Sequence, residues 1–152
     1  MTRPQLILFA SLGSATLLAG AFVFQAFGYA PCHLCLLQRW PHAAAIAIGV
    51  LALVLRWRLL AVLGAGAALV AAGLGLYHTG VERQWWQGPT TCTSGSIVGV
   101  DPKDLLDQIL AAPIVRCDEV AWQLLGLSMA SWNAVLSLGL AIIWIAAARR
   151  AV

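Results

Sequence analysis

Charge is what this chain has least of. Only 10% of its 152 residues are Asp, Glu, Lys or Arg, against roughly 25% in an ordinary soluble domain, and 61% are hydrophobic. That leaves too little polar surface for an independent soluble core and fits a membrane protein. The chain shows no internal repeat and no low-complexity tract. Its net charge of +3 averages two unlike faces, described below, and gives no reason to expect a nucleic-acid partner.

The uncharged intervals set the architecture. The largely apolar run from Leu6 to Phe27 would span about 33 Å as a helix, enough for a bilayer core. Sixteen uncharged residues separate Arg39 from Arg56, twenty-three separate Arg58 from Glu82, and twenty-nine run from Val120 to Ala148. We therefore expect an all-α membrane protein, a single integral membrane domain over 1–152 with spans near 6–27, 40–55, 59–80 and 132–148. A cleaved signal peptide is the alternative for the first run, given Arg3 and the small residues Ala19, Gly20 and Ala21. Twenty-two residues is long for a signal core. Pro41 suits the first turn of a helix, so span two is expected to begin near it, with Arg39 at the helix mouth. Small residues such as Gly13, Ala19, Gly64, Gly73 and Gly75 read as helix-packing positions. Trp57, Trp85, Trp86, Trp122, Trp132 and Trp144 read as interfacial anchors.

Basic residues orient the spans. Arg3, Arg56, Arg58, Arg149 and Arg150 mark one face, which the positive-inside rule makes cytoplasmic, with both termini. The other face receives Arg39, Arg83, Lys103 and Arg116 together with all six acids, Glu82, Asp101, Asp104, Asp107, Asp118 and Glu119. On that face lies the one long polar segment. Within it Asp101 to Leu110 reads as a short amphipathic helix, with Asp101 as N-cap, Pro102 in the first turn and Leu105, Leu106, Ile109 and Leu110 on one stripe. That stripe is expected to lie on the membrane surface.

The chemistry concentrates in Cys32-His33-Leu34-Cys35. Two thiols so spaced close into a small strained ring when oxidised, and strained, exposed disulfides are the exchange-competent kind. Arg39 follows Cys35 by four residues and shares its face if the chain is helical there; a fixed cation favours the thiolate. With four spans, the connections holding Cys32 and Cys35, and Cys92 and Cys117, emerge on the same face, on the side where disulfides persist. Two inert structural bridges remain an alternative, more so for the late pair than for the early one, whose ring is too small to gain much from loop closure. Zinc knuckles would require a second C-x-x-C, but twenty-four residues separate Cys92 from Cys117. Leu36 after Cys35 excludes the C-x-x-C-H of haem attachment. His78, near the outer end of span three, is either a functional group at membrane depth or an interfacial residue. His33 lies inside the small ring, where it could influence the thiols, and His42 carries no assignment.

Taken together, Cys32-His33-Leu34-Cys35-Leu36-Leu37-Gln38-Arg39, the late cysteine pair and Leu125-Gly126-Leu127-Ser128-Met129-Ala130-Ser131-Trp132 before span four resemble the bacterial disulfide bond formation protein B, or DsbB, family. The resemblance covers nearly the whole chain. It implies a four-transmembrane-helix bundle in the bacterial inner membrane, with periplasmic loops near 28–39 and 81–131, the second carrying the short amphipathic helix. It further implies a thiol oxidase using ubiquinone or menaquinone and serving a periplasmic thioredoxin-fold dithiol oxidase of the DsbA type. By the same resemblance, the partner attacks Cys92 of a Cys92–Cys117 disulfide, Cys117 then attacks Cys32, and Cys35 becomes the thiolate facing the quinone beside Arg39 and His78. A vitamin K epoxide reductase-like enzyme is the near rival, but there the loop cysteines would precede the C-x-x-C. A non-catalytic membrane subunit with two disulfides is the rival from another class.

Overall fold

The computed structural model describes residues 1–89, 110 and 115–150. Cys92 and the expected helix from Asp101 lie outside the described residues, apart from Leu110. Four helices dominate: α1 Arg3–Ala26, α2 His33–Leu55, α3 Arg58–Glu82 and α4 Met129–Arg149. All four are long and apolar enough to cross a membrane, with mean hydropathy of 2.1, 1.3, 2.2 and 1.7 in turn. The protein is a four-helix membrane bundle.

Local chemistry sets the helix ends. The Thr2 backbone N–H donates to Gln5 Oε1 at 2.7 Å, and Pro4 sits in the first turn of α1, where its missing N–H costs nothing. In α2 the cap is Cys32, whose Sγ accepts the Cys35 N–H at 3.2 Å. That cap starts the helix well before Pro41, so the expectation of a start near 40 is corrected: Pro41 lies inside α2 and Arg39 stands one turn after Cys35, not at the mouth. The linker from α1 shortens accordingly. Arg56 ends α2 in the left-handed region at φ 56°, and Ser128 caps α4 by accepting the Ser131 N–H at 3.2 Å.

Just before α4 the chain makes a small hairpin of β1 Gln123–Leu124 and β2 Leu127–Ser128, with Gln123 opposite Ser128 and Leu124 opposite Leu127. Both turn residues, Leu125 and Gly126, have positive φ, 52° and 77°. Two consecutive positive values match the twist of a two-residue hairpin, and Leu125 holds one of them without glycine's freedom. Neighbours pin the turn: Arg83 Nη2 donates to the Gly126 carbonyl at 3.1 Å, and Trp132 Nε1 to that of Leu124 at 3.1 Å.

Close backbone approach binds the bundle. A Cβ built on Gly75 of α3 would lie 2.8 Å from the Ala134 nitrogen and 2.9 Å from the Ala130 carbonyl oxygen of α4, so those two helices touch through a glycine, as expected in lipid. A Cβ on Gly64 would lie 2.7 Å from the Trp144 ring. Trp144 is fully buried in the core with Ile7, Ala61 and Ala141. The reading of Trp144 as an interfacial anchor is therefore wrong: Gly64 opens a slot that an indole fills. Toward the other end a second cluster joins Cys32, Leu34, Val81 and Cys117, and there the fold brings its sulfur residues together.

Candidate functional site

Cys32 and Cys35 are free thiols with their sulfurs 2.8 Å apart. Cys32 is buried at the cap of α2, whereas Cys35 in the first turn is half-buried. Hydrogen bonding to Cys35 and burial push the Cys32 thiol well above its ordinary range, so in the reduced pair the proton rests on Cys32. Cys117 is buried in the same cluster and is disulfide-bonded. Its two neighbours Arg116 and Asp118 form an exposed fork, with Nε to Oδ1 at 2.9 Å and Nη2 to Oδ2 at 2.7 Å.

His78 of α3 stands between the sulfurs. Its Nε2 lies 3.6 Å from Cys32 Sγ, and the Cys117 backbone hydrogen-bonds to the same side chain. A chain of side chains from three helices fixes the ring. Gln38 Nε2 donates to the Leu34 carbonyl at 3.2 Å and lies 2.8 Å from His78 Nδ1, while Gln38 Oε1 accepts from Asn133 Nδ2 at 2.6 Å. Asn133 Oδ1 in turn faces His42 Nε2 at 2.8 Å and accepts from Ser137 Oγ at 3.3 Å. Each amide has both ends engaged, so its orientation is determined. Gln38 donates to Nδ1, which leaves the His78 proton on Nε2, the nitrogen that faces Cys32 Sγ and the Cys117 backbone. Glu82 Oε1 lies 4.0 Å from Nε2, and its other oxygen accepts a short hydrogen bond from the Ser128 hydroxyl. Ser128, Ser131 and Thr79 continue the polar contacts at 3.1 Å each.

A cavity of about 400 Å³ opens beside the thiols, walled by apolar groups such as Leu17, Ala21, Phe24 and Trp122 and bordered by Cys35, Arg39, His78 and Asn133. Arg39 packs its guanidinium 4.6 Å from the centre of the Phe22 ring, and its Nε is buried with no hydrogen-bond partner among the described residues. An unspent donor beside an apolar slot suits a flat, greasy molecule carrying carbonyl oxygens. Cys32, Cys35 and His78 also place three ligand-type atoms within 4.8 Å of one another. Two sulfurs on one tetrahedral zinc would stand roughly 3.8 Å apart, so the 2.8 Å spacing is too short for a pair of zinc ligands.

Of the residues singled out from sequence, Cys32, Cys35, Arg39, His78 and Cys117 thus gather at one end of the bundle, and Cys92 lies outside the described residues. His33 is exposed. Gln38, His42, Asn133 and Glu82 were missed as members of the site. Their signal was chemical: each is a polar side chain within or at the edge of an apolar span, where such residues are costly.

A family model described as Disulfide bond formation protein DsbB matches residues 3–147. The chain belongs to the DsbB family. Disulfide bond formation protein B 2 of Pseudomonas savastanoi pv. phaseolicola is 32% identical over 157 aligned residues, covering 94% of this chain and 87% of that protein. Disulfide bond formation protein B of Polaromonas sp. is 24% identical over 88% of this chain and 83% of its own length. An uncharacterized Rickettsia prowazekii protein is 31% identical over 76% of this chain and 70% of its own. No solved structure gives a significant match. As a DsbB-family member the chain is a multi-pass membrane protein of disulfide bond formation with a thiol oxidoreductase role.

Proposed function

We propose that this chain reoxidises a periplasmic thioredoxin-fold dithiol oxidase of the DsbA type and passes the electrons to a membrane quinone. The observation that carries the reading is one juxtaposition: Cys32 packs against the disulfide-bonded Cys117 on one side, and its pair partner Cys35 borders an apolar cavity with Arg39 and His78 on the other.

In this scheme a partner thiolate attacks Cys92 of a Cys92–Cys117 disulfide, forming a mixed disulfide and releasing Cys117. The partner's second thiol then displaces Cys92, so the partner leaves oxidised and two thiols remain here. Cys117 attacks Cys32 of an oxidised Cys32–Cys35 pair, and Cys35 leaves as thiolate. Cys92 closes back on Cys117, restoring the loop bridge and releasing Cys32 as a thiol. Two electrons and two protons have then moved from the partner to the early pair. A membrane quinone, ubiquinone or menaquinone, supplies when bound an acceptor for both. Arg39 would hold one of its oxygens by the free Nε–H of the guanidinium, and His78, whose one N–H is engaged inside the protein, would border the quinone at the cavity wall. His78 also stands with Nε2 beside the Cys32 sulfur and the Cys117 backbone, between the two residues that exchange in this scheme. The arginines at the α1 start and the α2 and α4 ends support cytoplasmic termini and periplasmic sulfurs in a bacterial inner membrane.

Purified protein mixed with a reduced DsbA-type oxidase and a soluble quinone should lower quinone absorbance. Cys35→Ser should abolish that loss while leaving the fold intact. Turnover unchanged in Cys35→Ser would overturn the scheme.

A further inference from the structure

At the end of the bundle opposite the sulfurs, a second cavity of about 490 Å³ opens between the start of α1 and the ends of α2 and α4. Three arginines line it: Arg3, Arg56 and Arg150. Arg3 is 4% exposed, and its Nε, Nη1 and Nη2 are all buried with no hydrogen-bond partner among the described residues. Nearby Arg58 shows what a satisfied arginine looks like here, because its Nε donates to the Ala148 carbonyl at 2.6 Å and closes the end of α4. No acid precedes Glu82 in the chain, and among the described residues none lines this cavity.

A guanidinium taken out of water with all three nitrogens unpaired is strongly unfavourable, and an anion is what removes the penalty. Apart from Thr2 the rest of the wall is apolar, with Pro4, Ile7, Ala52 and Leu53 beside the cations. The first N–H groups of α1 add positive potential at the same mouth. We infer that this cavity is a phosphate site in which Arg3 is the anchoring ligand and Arg56 and Arg150 are the outer ones, the phosphate arriving as the headgroup of an anionic phospholipid whose chains lie on the apolar wall. Basic pockets between helices on the cytoplasmic side are built for such headgroups. Free phosphate offers the same group without the chains, and the experiment separates the two.

Full-length protein in lipid-free detergent is titrated with phosphatidylglycerol, phosphatidylcholine or inorganic phosphate, and binding is read by native mass spectrometry and by the thermal midpoint. Phosphatidylglycerol should bind at least about tenfold more tightly than phosphatidylcholine, and Arg3→Gln should weaken it by about tenfold. Arg150→Gln, at an exposed position that does not threaten the fold, should give a smaller loss of the same kind. A response to millimolar inorganic phosphate equal to that of the lipid, and abolished in Arg3→Gln, supports the phosphate site and names free phosphate as its ligand. Equal affinity for the two lipids, or phosphatidylglycerol binding unchanged in both variants, overturns the inference.

Discussion

Replacing Asn133 with leucine tests whether the polar chain through α2, α3 and α4 holds the site together. Asn133 donates to Gln38 at 2.6 Å and to the Ala71 carbonyl at 3.5 Å, and accepts from His42 at 2.8 Å and Ser137 at 3.3 Å. Leucine keeps the bulk and removes all four bonds. Interhelical hydrogen bonds in membranes average about 0.6 kcal/mol and reach about 1.7, while a buried polar group left alone costs roughly 1–3 kcal/mol. Gln38 and His42 are both buried, so neither recovers its partner from water. We expect Asn133→Leu to lower stability by about 2–3 kcal/mol, read by detergent-induced unfolding followed through tryptophan fluorescence. The chemical effect follows from geometry: once Gln38 is loose, Nδ1 loses the donor that holds it as an acceptor, and the ring between Cys32 and Cys117 is held by the Cys117 backbone alone. A thiol oxidation rate with soluble quinone about tenfold lower corresponds to about 1.4 kcal/mol of barrier. Asn133→Asp keeps the acceptor for His42 and gives up the donor to Gln38, so it should fall between. A stability loss under about 0.5 kcal/mol would refute the packing argument. A full stability loss with the rate unchanged would refute the link from Asn133 to His78.

Gly75→Val should cost about 1–3 kcal/mol, since backbone atoms of α4 stand 2.8 and 2.9 Å from the new Cβ, whereas Gly73→Ala, with nothing within 4 Å, should be near neutral or slightly stabilising; equal unfolding midpoints would contradict this. In reduced protein Cys32 should alkylate more slowly than Cys35 at neutral pH. Its raised thiol pKa leaves the folded state unpenalised below about 9 and makes it lose stability as pH climbs further, because only the unfolded chain then releases the proton; equal rates at the two cysteines would count against it. Pairing with Arg116 holds the Asp118 carboxyl below its ordinary range, so its contribution is present above about pH 4 and fades as pH falls through the folded value. Arg116→Gln should raise that carboxyl's titration midpoint in an NMR titration, and an unmoved midpoint would show the fork to be idle.

The four spans were legible because apolar composition acts over windows of about twenty residues, longer than any local irregularity. Arg39 was legible for the opposite reason, being one helical turn from Cys35. What failed lay between those scales. Pro41 was read as a helix start because proline usually is one, yet the Cys32 cap nucleates α2 earlier and the proline rides inside it. Trp144 was read as an anchor from its type, and only Gly64 on another helix shows why it is buried. Arg3 counted as one more cytoplasmic charge, while its side chain turned inward.

The polar chain around His78 is the instructive case. Its links join residues 95, 91 and 40 apart in sequence, so no motif of contiguous residues could contain them. They are nonetheless marked one at a time. Gln38, His42, His78, Asn133 and Ser137 all occur inside spans made mostly of leucine, alanine, valine and glycine, and a polar group in that setting is expensive unless it finds another. Three helices carrying such groups therefore constrain their own packing: α2, α3 and α4 must turn these faces toward one another, or each leaves a donor or acceptor in lipid. The same requirement applied to Arg3, which finds no partner among the described residues, turns an orphaned charge into a statement about what the membrane must bring to it.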